Sequence, residues 1–253
     1  MGTAAAASHA QRVPQLLGQT VVVLGGSAGI GLETARQARA EGAKLVLVGR
    51  NAERLQSAAA DVEAESTKAF DATDGAALEQ FFRELPGPID HVMVTTGRPY
   101  YGRLLDMDFA QVHAELDEHV VLAIQVARHA APKIRPGGAL VFMGGTGSRR
   151  PGLGLGLVST LTAAFPALIA NLALEVAPVR INLIAAGFVD TPLSAELLGD
   201  DLEKRRQQLR ETNPIRRVVT AGDVAALAVH IMTNTALTGS TFDIDGGQQL
   251  VAR

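Results

Sequence analysis

Short apolar runs alternate with helix-like stretches along almost the whole chain, and that alternation leaves few architectures open. The runs occupy residues 20–24, 44–48, 67–70, 89–95, 139–143, 180–184 and 240–243. Two of them, VVVL and LVLV, have no polar residue to turn toward water, as expected of strands covered on both faces. Between the runs lie stretches with helical character at 30–41, 51–65, 74–85, 108–134, 160–176 and 223–232. Strand, helix, strand with short connections means βαβ units and a parallel sheet. The fold class read from this is α/β, a single Rossmann-like doubly wound domain of about seven parallel strands. Residues 16–253 are expected to form that domain and residues 1–15 a mobile leader.

Composition narrows the function classes. The net charge is −3, with 23 basic residues scattered along the chain, so there is no basic stripe for a nucleic-acid backbone. No cysteine is present, which removes disulfides, thiol nucleophiles and cysteine-ligated zinc and fits a reducing, cytoplasmic setting. No metal site is read. The alanine-rich start has too short an apolar run for a signal peptide. No stretch of about 18 apolar residues is read anywhere, so no membrane partner is expected.

The first strand runs directly into Gly25-Gly26-Ser27-Ala28-Gly29-Ile30-Gly31, followed at once by a helix. Gly25 permits a tight turn, and Gly29 and Gly31 let the backbone approach a pyrophosphate at a helix N-terminus. The second strand ends in Val48-Gly49-Arg50-Asn51, with an arginine where an NAD site places an acid. A guanidinium pairs with a ribose 2′-phosphate, so NADP is expected over NAD.

The chain resembles the short-chain dehydrogenase/reductase family from about Gln19 to Leu250. The resemblance rests on the GxxxGxG turn, on Asp71 in Phe70-Asp71-Ala72-Thr73-Asp74, on Ala186-Gly187-Phe188-Val189-Asp190-Thr191-Pro192, and on Asp243-Ile244-Asp245-Gly246-Gly247. It implies a cofactor set of Gly25, Ser27, Gly29, Ile30, Gly31, Arg50, Asn51, Asp71, Thr95, Gly97, Gly187, Val189 and Thr191. It also implies a small-molecule substrate and a homotetramer, or at least a dimer, built on the helices at 108–134 and 160–176.

The family's catalytic Tyr-x-x-x-Lys pair is missing. Counting back from Asn171-Leu172-Ala173-Leu174-Glu175-Val176-Ala177-Pro178 puts Val158 at the tyrosine position and Thr162 at the lysine position. The family's serine position falls at Gly145 or Thr146 and its asparagine position at His119. The NNAG segment has become Val94-Thr95-Thr96-Gly97. Tyr100, Tyr101 and His119 are the remaining proton-donor candidates, and Thr146 is a candidate to hold a carbonyl oxygen. Two further expectations concern the same region. Pro166 should kink its helix or delay its start. The loop at 144–156 carries six glycines with Arg149 and Arg150, and reads either as a relic connection or as a lid that meets an anionic group. Two functions remain open: an NADP-dependent oxidoreductase acting on a small carbonyl or alcohol with a non-standard proton donor, or a catalytically inactive NADP-binding protein serving as sensor or partner subunit.

Overall fold

The computed structural model describes residues 13–251, so most of the expected leader lies outside the described residues. The described chain joins the body early. Leu16 is fully buried, and the Gln15 N–H donates to the Glu41 carboxylate at 3.0 Å.

The elements follow in the order β1 Thr20–Leu24, α1 Gly29–Ala40, β2 Lys44–Gly49, α2 Ala52–Asp61, β3 Ser66–Ala69, α3 Gly75–Glu84 and β4 Ile89–Val94. Next come α4 Phe109–Leu116, α5 Leu122–Ala130, β5 Ile134–Gly145, α6 Gly156–Glu175 and β6 Arg180–Ala186. The chain continues through β7 Val189–Asp190, α7 Pro192–Leu198, α8 Leu202–Thr212, β8 Val219–Thr220, α9 Ala221–Thr233 and β9 Thr241–Ile244. Seven strands form one sheet in the order β3-β2-β1-β4-β5-β6-β9. Every pairing in it is parallel. The strand order reverses between β1 and β4, which is where a doubly wound sheet opens a crevice at its carboxyl edge.

Both faces of the sheet are covered, which explains the uninterrupted apolar strands. Val22 and Leu24 face a core shared with α3, α5 and α6, whereas Val21 and Val23 face one shared with α1, α2 and α9.

Several expected boundaries shift. The stretch at 108–134 is helical from Phe109 to Lys133, but its winding is not uniform. A π turn at Asp117–Val121 separates α4 from α5, and Ile134 already belongs to β5. Asn51 is not helical but caps α2, its Oδ1 accepting from the Arg54 N–H at 2.8 Å. The helix expected at 160–176 starts earlier, at Gly156, and continues through Pro166. The proline removes the bond to the Thr162 carbonyl, but burial of Leu157, Leu161, Phe165, Ile169 and Leu172 on one side outweighs that single loss. Helix α6 also corrects the expectation that no run is long and apolar enough to cross a membrane; by length and composition it is. Here it covers the sheet, with Phe165 packed edge-on against Phe142 at 6.2 Å between centroids.

Arg180 ties α9 to the sheet. Its guanidinium is buried and donates to the carbonyls of Gly137, Ile231, Met232, Asn234 and Leu237 at 2.7–3.1 Å. Three of these lie at the C-terminal end of α9, where carbonyls lack helical partners and a cation is favoured. Arg180→Met should lower unfolding free energy by about 3–5 kcal/mol, because it leaves buried acceptors unpaired. Urea titration reads this directly, and a loss under about 1 kcal/mol would contradict the role.

Candidate functional site

The glycine turn fills the crevice between β1 and β4. Gly25 sits at φ +89°, and a Cβ there would stand 2.5 Å from Thr95 Oγ1. A Cβ on Gly31 would stand 2.3 Å from the Gly25 carbonyl oxygen, so α1 and the turn touch backbone to backbone. The Thr95 hydroxyl fastens this contact, donating to the carbonyls of Leu24 at 3.0 Å and Gly25 at 3.2 Å. Thr95 therefore acts as the turn's brace. The N-cap residue of α1, Ala28, makes no side-chain cap bond, and the first turn carries no acid. The helix thus presents free N–H groups and its positive end beside a surface stripped of side chains, which fits a pyrophosphate. Ile30, in the first turn of the helix, packs against the core beneath. Thr191 comes alongside from the far side of the crevice, its Cβ 3.7 Å from where a Gly29 Cβ would be.

At the end of β2, Gly49 leaves a gap bordered by Ser27 Oγ, 3.2 Å from its would-be Cβ. Arg50 extends into solvent, with Nη1 3.9 Å from Asp71 Oδ2. The Asp71 carboxylate also accepts from the Thr73 N–H at 3.0 Å and hydroxyl at 2.8 Å. Ser27, Arg50 and Asp71 therefore converge on one exposed corner. The Asn51 side chain stays with its helix cap.

Across the crevice, the segment after β6 supplies Gly187, Val189 and Thr191. A Cβ on Gly187 would stand 2.6 Å from Asp245 Cβ, so this glycine lets the C-terminal segment close down. Val189 is buried in β7. The Thr191 hydroxyl caps α7, accepting from the Ser194 N–H at 3.2 Å.

Thr146 does not fit a substrate-oxygen role. It is buried, its hydroxyl donates to the Ala186 carbonyl at 3.4 Å, and it accepts from Gln249 Nε2 at 2.8 Å. Nor do the loop arginines stand ready for an anion. Arg149 pairs with Asp243 through two bonds at 2.9 and 3.2 Å, and Arg150 donates to the Gln249 carbonyl. Sequence reading missed this clamp between the glycine-rich loop and the C-terminal segment, because its partners lie about a hundred positions apart.

The titratable candidates gather where the loop after β4 meets the π turn. His119 Nδ1 lies 2.9 Å from the Glu115 carbonyl oxygen, and the Cε1–Nε2 edge faces Gly97 at 3.6 Å from its would-be Cβ. Gly97, at φ +97°, leaves room for the ring. His119 lines a cavity with Val94, Thr96, Glu118, Phe142 and Phe165. Tyr100 packs into a small apolar cluster with Met107, Leu157 and Leu161. Tyr101 is half exposed, yet desolvation, and secondarily the Glu115 charge, push its phenol above the ordinary tyrosine range. His91 belongs elsewhere. It is buried in β4, its Nδ1 accepts from the Ala139 N–H, and burial followed by the Arg180 charge lowers its pKa to about 4.

Val158 and Thr162 sit one helical turn apart and face the loop after β5. Val158 Cγ1 and Thr162 Oγ1 lie 3.1 and 3.4 Å from where a Gly147 Cβ would be. The Thr162 hydroxyl donates back to the Val158 carbonyl at 2.8 Å, so it is spent on its own helix.

A glycine turn braced at a sheet switch point defines a Rossmann-type dinucleotide-binding protein. The family model described as enoyl-(acyl carrier protein) reductase matches residues 25–249. Dehydrogenase/reductase SDR family member 4 from Oryctolagus cuniculus is 28% identical, covering 96% of this chain and 98% of its own. Short-chain dehydrogenase/reductase ATR9 from Stachybotrys chlorohalonatus is 25% identical, covering 93% and 98%. The chain belongs to the short-chain dehydrogenase/reductase family. Among solved structures, a small-chain dehydrogenase in complex with NADPH aligns at TM-score 0.79 and 26% identity, covering 92% of this chain and 99% of its own. L-Sorbose reductase from Gluconobacter frateurii, complexed with NADPH and L-sorbose, aligns at TM-score 0.85 and 25% identity, covering 94% and 99%.

Proposed function

We propose that this chain is an NADP-dependent oxidoreductase acting on a small carbonyl or alcohol, with its proton donor outside the family's usual pair. The carrying observation is a contrast at one sheet edge. The dinucleotide cradle is complete, from the unfilled α1 N-terminus to the acid-free corner at Gly49 and Arg50. Beside it, the two positions we assign to the missing dyad hold an apolar side chain and a hydroxyl already bonded within its helix. Bound NADPH would supply the hydride. Gly25, Gly29 and Gly31 would hold its pyrophosphate, Arg50 with Ser27 its 2′-phosphate, Asp71 its adenine, and the 187–191 segment its nicotinamide end.

Of the three donor candidates, the geometry favours His119. Its ring lines the cavity with the Cε1–Nε2 edge toward Gly97, and an imidazole nitrogen can give and take a proton. Tyr100 is committed to packing, and a phenol raised like that of Tyr101 is a weaker acid. Thr96 Oγ1, buried in the same cavity wall, has no hydrogen-bond partner among the described residues.

The outer face of α6, with Ala163, Ala164, Ala167, Ala170 and Leu174 exposed, supports association into a dimer or homotetramer. Light scattering should therefore give a mass at least twice that of the chain, and a monomer at micromolar protein would contradict it. The cysteine-free composition favours a cytoplasmic location.

NADPH should bind more tightly than NADH, and Arg50→Ala should weaken NADPH alone, by about 1.5–3 kcal/mol. Fluorescence titration of both cofactors checks this, and equal affinities in the wild type would contradict it. Catalysis is tested on a panel of small ketones and aldehydes that includes L-sorbose. His119→Gln should cut turnover about 10²–10⁴-fold, and Val158→Tyr with Thr162→Lys should not raise it. If His119→Gln changes nothing while the restored pair creates activity, the chain is instead a silent NADP-binding relative.

A further inference from the structure

We infer that the buried carboxyl of Glu115 is a positioning residue for His119, holding the imidazole charged and with Nε2 turned to the cavity. This rests on the function proposed above and adds a residue that the family's pattern does not supply.

Glu115 lies in the last turn of α4 and is only 5% exposed. Its Oε2 has no hydrogen-bond partner among the described residues and stands 3.8 Å from His119 Nδ1. The carbonyl oxygen of the same residue is 2.9 Å from that nitrogen. Two acceptor-type oxygens of one residue thus confront Nδ1, which fixes it as the N–H and leaves Nε2 free on the ring edge that faces Gly97. The π turn at Asp117–Val121 begins just after Glu115 and contains His119, so the irregular winding sets how the pair meets. A carboxyl buried with an open oxygen is costly unless a charge offsets it, and the imidazole, with Nδ1 3.8 Å from that oxygen, is placed to carry one when protonated.

The surrounding charges come from two elements. Burial, and then Glu118 on the same helix, raise the Glu115 carboxyl above its ordinary range. His119, the Tyr100 backbone N–H and Arg98 from the loop after β4 draw it down. Tyr101 faces the same carboxyl from that loop. Glu115 and His119 are therefore coupled. In the reducing direction, the Nε2–H bond breaks and an O–H bond forms on the substrate oxygen. The imidazole is left neutral with its Nδ1–H, and solvent restores the proton to Nε2.

The test is a carboxyl titration by ¹³C NMR on the full-length protein, following Glu115 in the wild type and in His119→Gln. It needs no substrate and no variant at the buried acid. The Glu115 transition should move to higher pH when the imidazole is removed; an unmoved transition would overturn the inference. Should the substrate panel yield turnover, Glu115→Gln should lower kcat about 10-fold at unchanged KM and shift the basic limb of the pH profile to lower pH, with partial rescue in Glu115→Asp. Loss of activity that tracks thermal destabilisation, with the pH profile unmoved in both variants, would also overturn it. If no substrate turns over, the proposed function fails while the NMR arm still decides the Glu115–His119 coupling.

Discussion

The contact that the rest of the site depends on is between Gly31 and the Gly25 carbonyl. No side chain fits there, so the first helix can start against the end of the first strand, directly over the switch point between β1 and β4. Thr95, at the end of β4, bonds the carbonyls of Leu24 and Gly25 and so locks two strands and the turn into one unit. From that unit the helix N-terminus acquires its direction, and the segment carrying Thr191 acquires the surface it closes on. The cofactor cradle is thus a consequence of backbone contact, with side chains mainly bracing it.

Around this rigid turn the opposite half of the crevice is organised differently. The glycine-rich loop after β5 is held by long-range bonds, from Arg149 to Asp243 and from Gln249 to Thr146. Arg98, on the loop after β4, pairs with Glu196 of α7 at 3.0 Å, linking the two borders of the crevice. The two ion pairs are about half exposed and individually weak, so this half is the softer one. The candidate proton site lies between the rigid and the soft parts, where α4 gives way to α5 through the π turn.

Much of the fold was legible from residue pattern because the sheet is buried on both faces, leaving VVVL and LVLV no alternative. What escaped has identifiable causes. Helix α8 buries only Leu209, so its sequence offers no apolar stripe. Helix α7 is marked instead by its capping box at Thr191 and Ser194, a signal that was present but short. The π turn has no local sequence signature, and Pro166 looked disruptive because tertiary burial does not show in a local pattern. In the site, the glycines were readable because they answer to steric exclusion. Thr146 and Arg149 were not, because their partners at Gln249 and Asp243 are distant in sequence. Glu115 drew no notice as one acid on a long, largely apolar helix; only the structure shows its carboxyl buried against His119.

The central claim is that a complete dinucleotide cradle serves a proton site displaced from positions 158 and 162 to His119. The most direct measurement is a crystal structure of the protein grown with NADPH. The account predicts a pyrophosphate on the N–H groups at the start of α1, the 2′-phosphate at Arg50, and His119 as the titratable side chain nearest nicotinamide C4. A cofactor bound in that cradle with only Val158 and Thr162 near C4, and His119 out of reach of any substrate bound there, would contradict it.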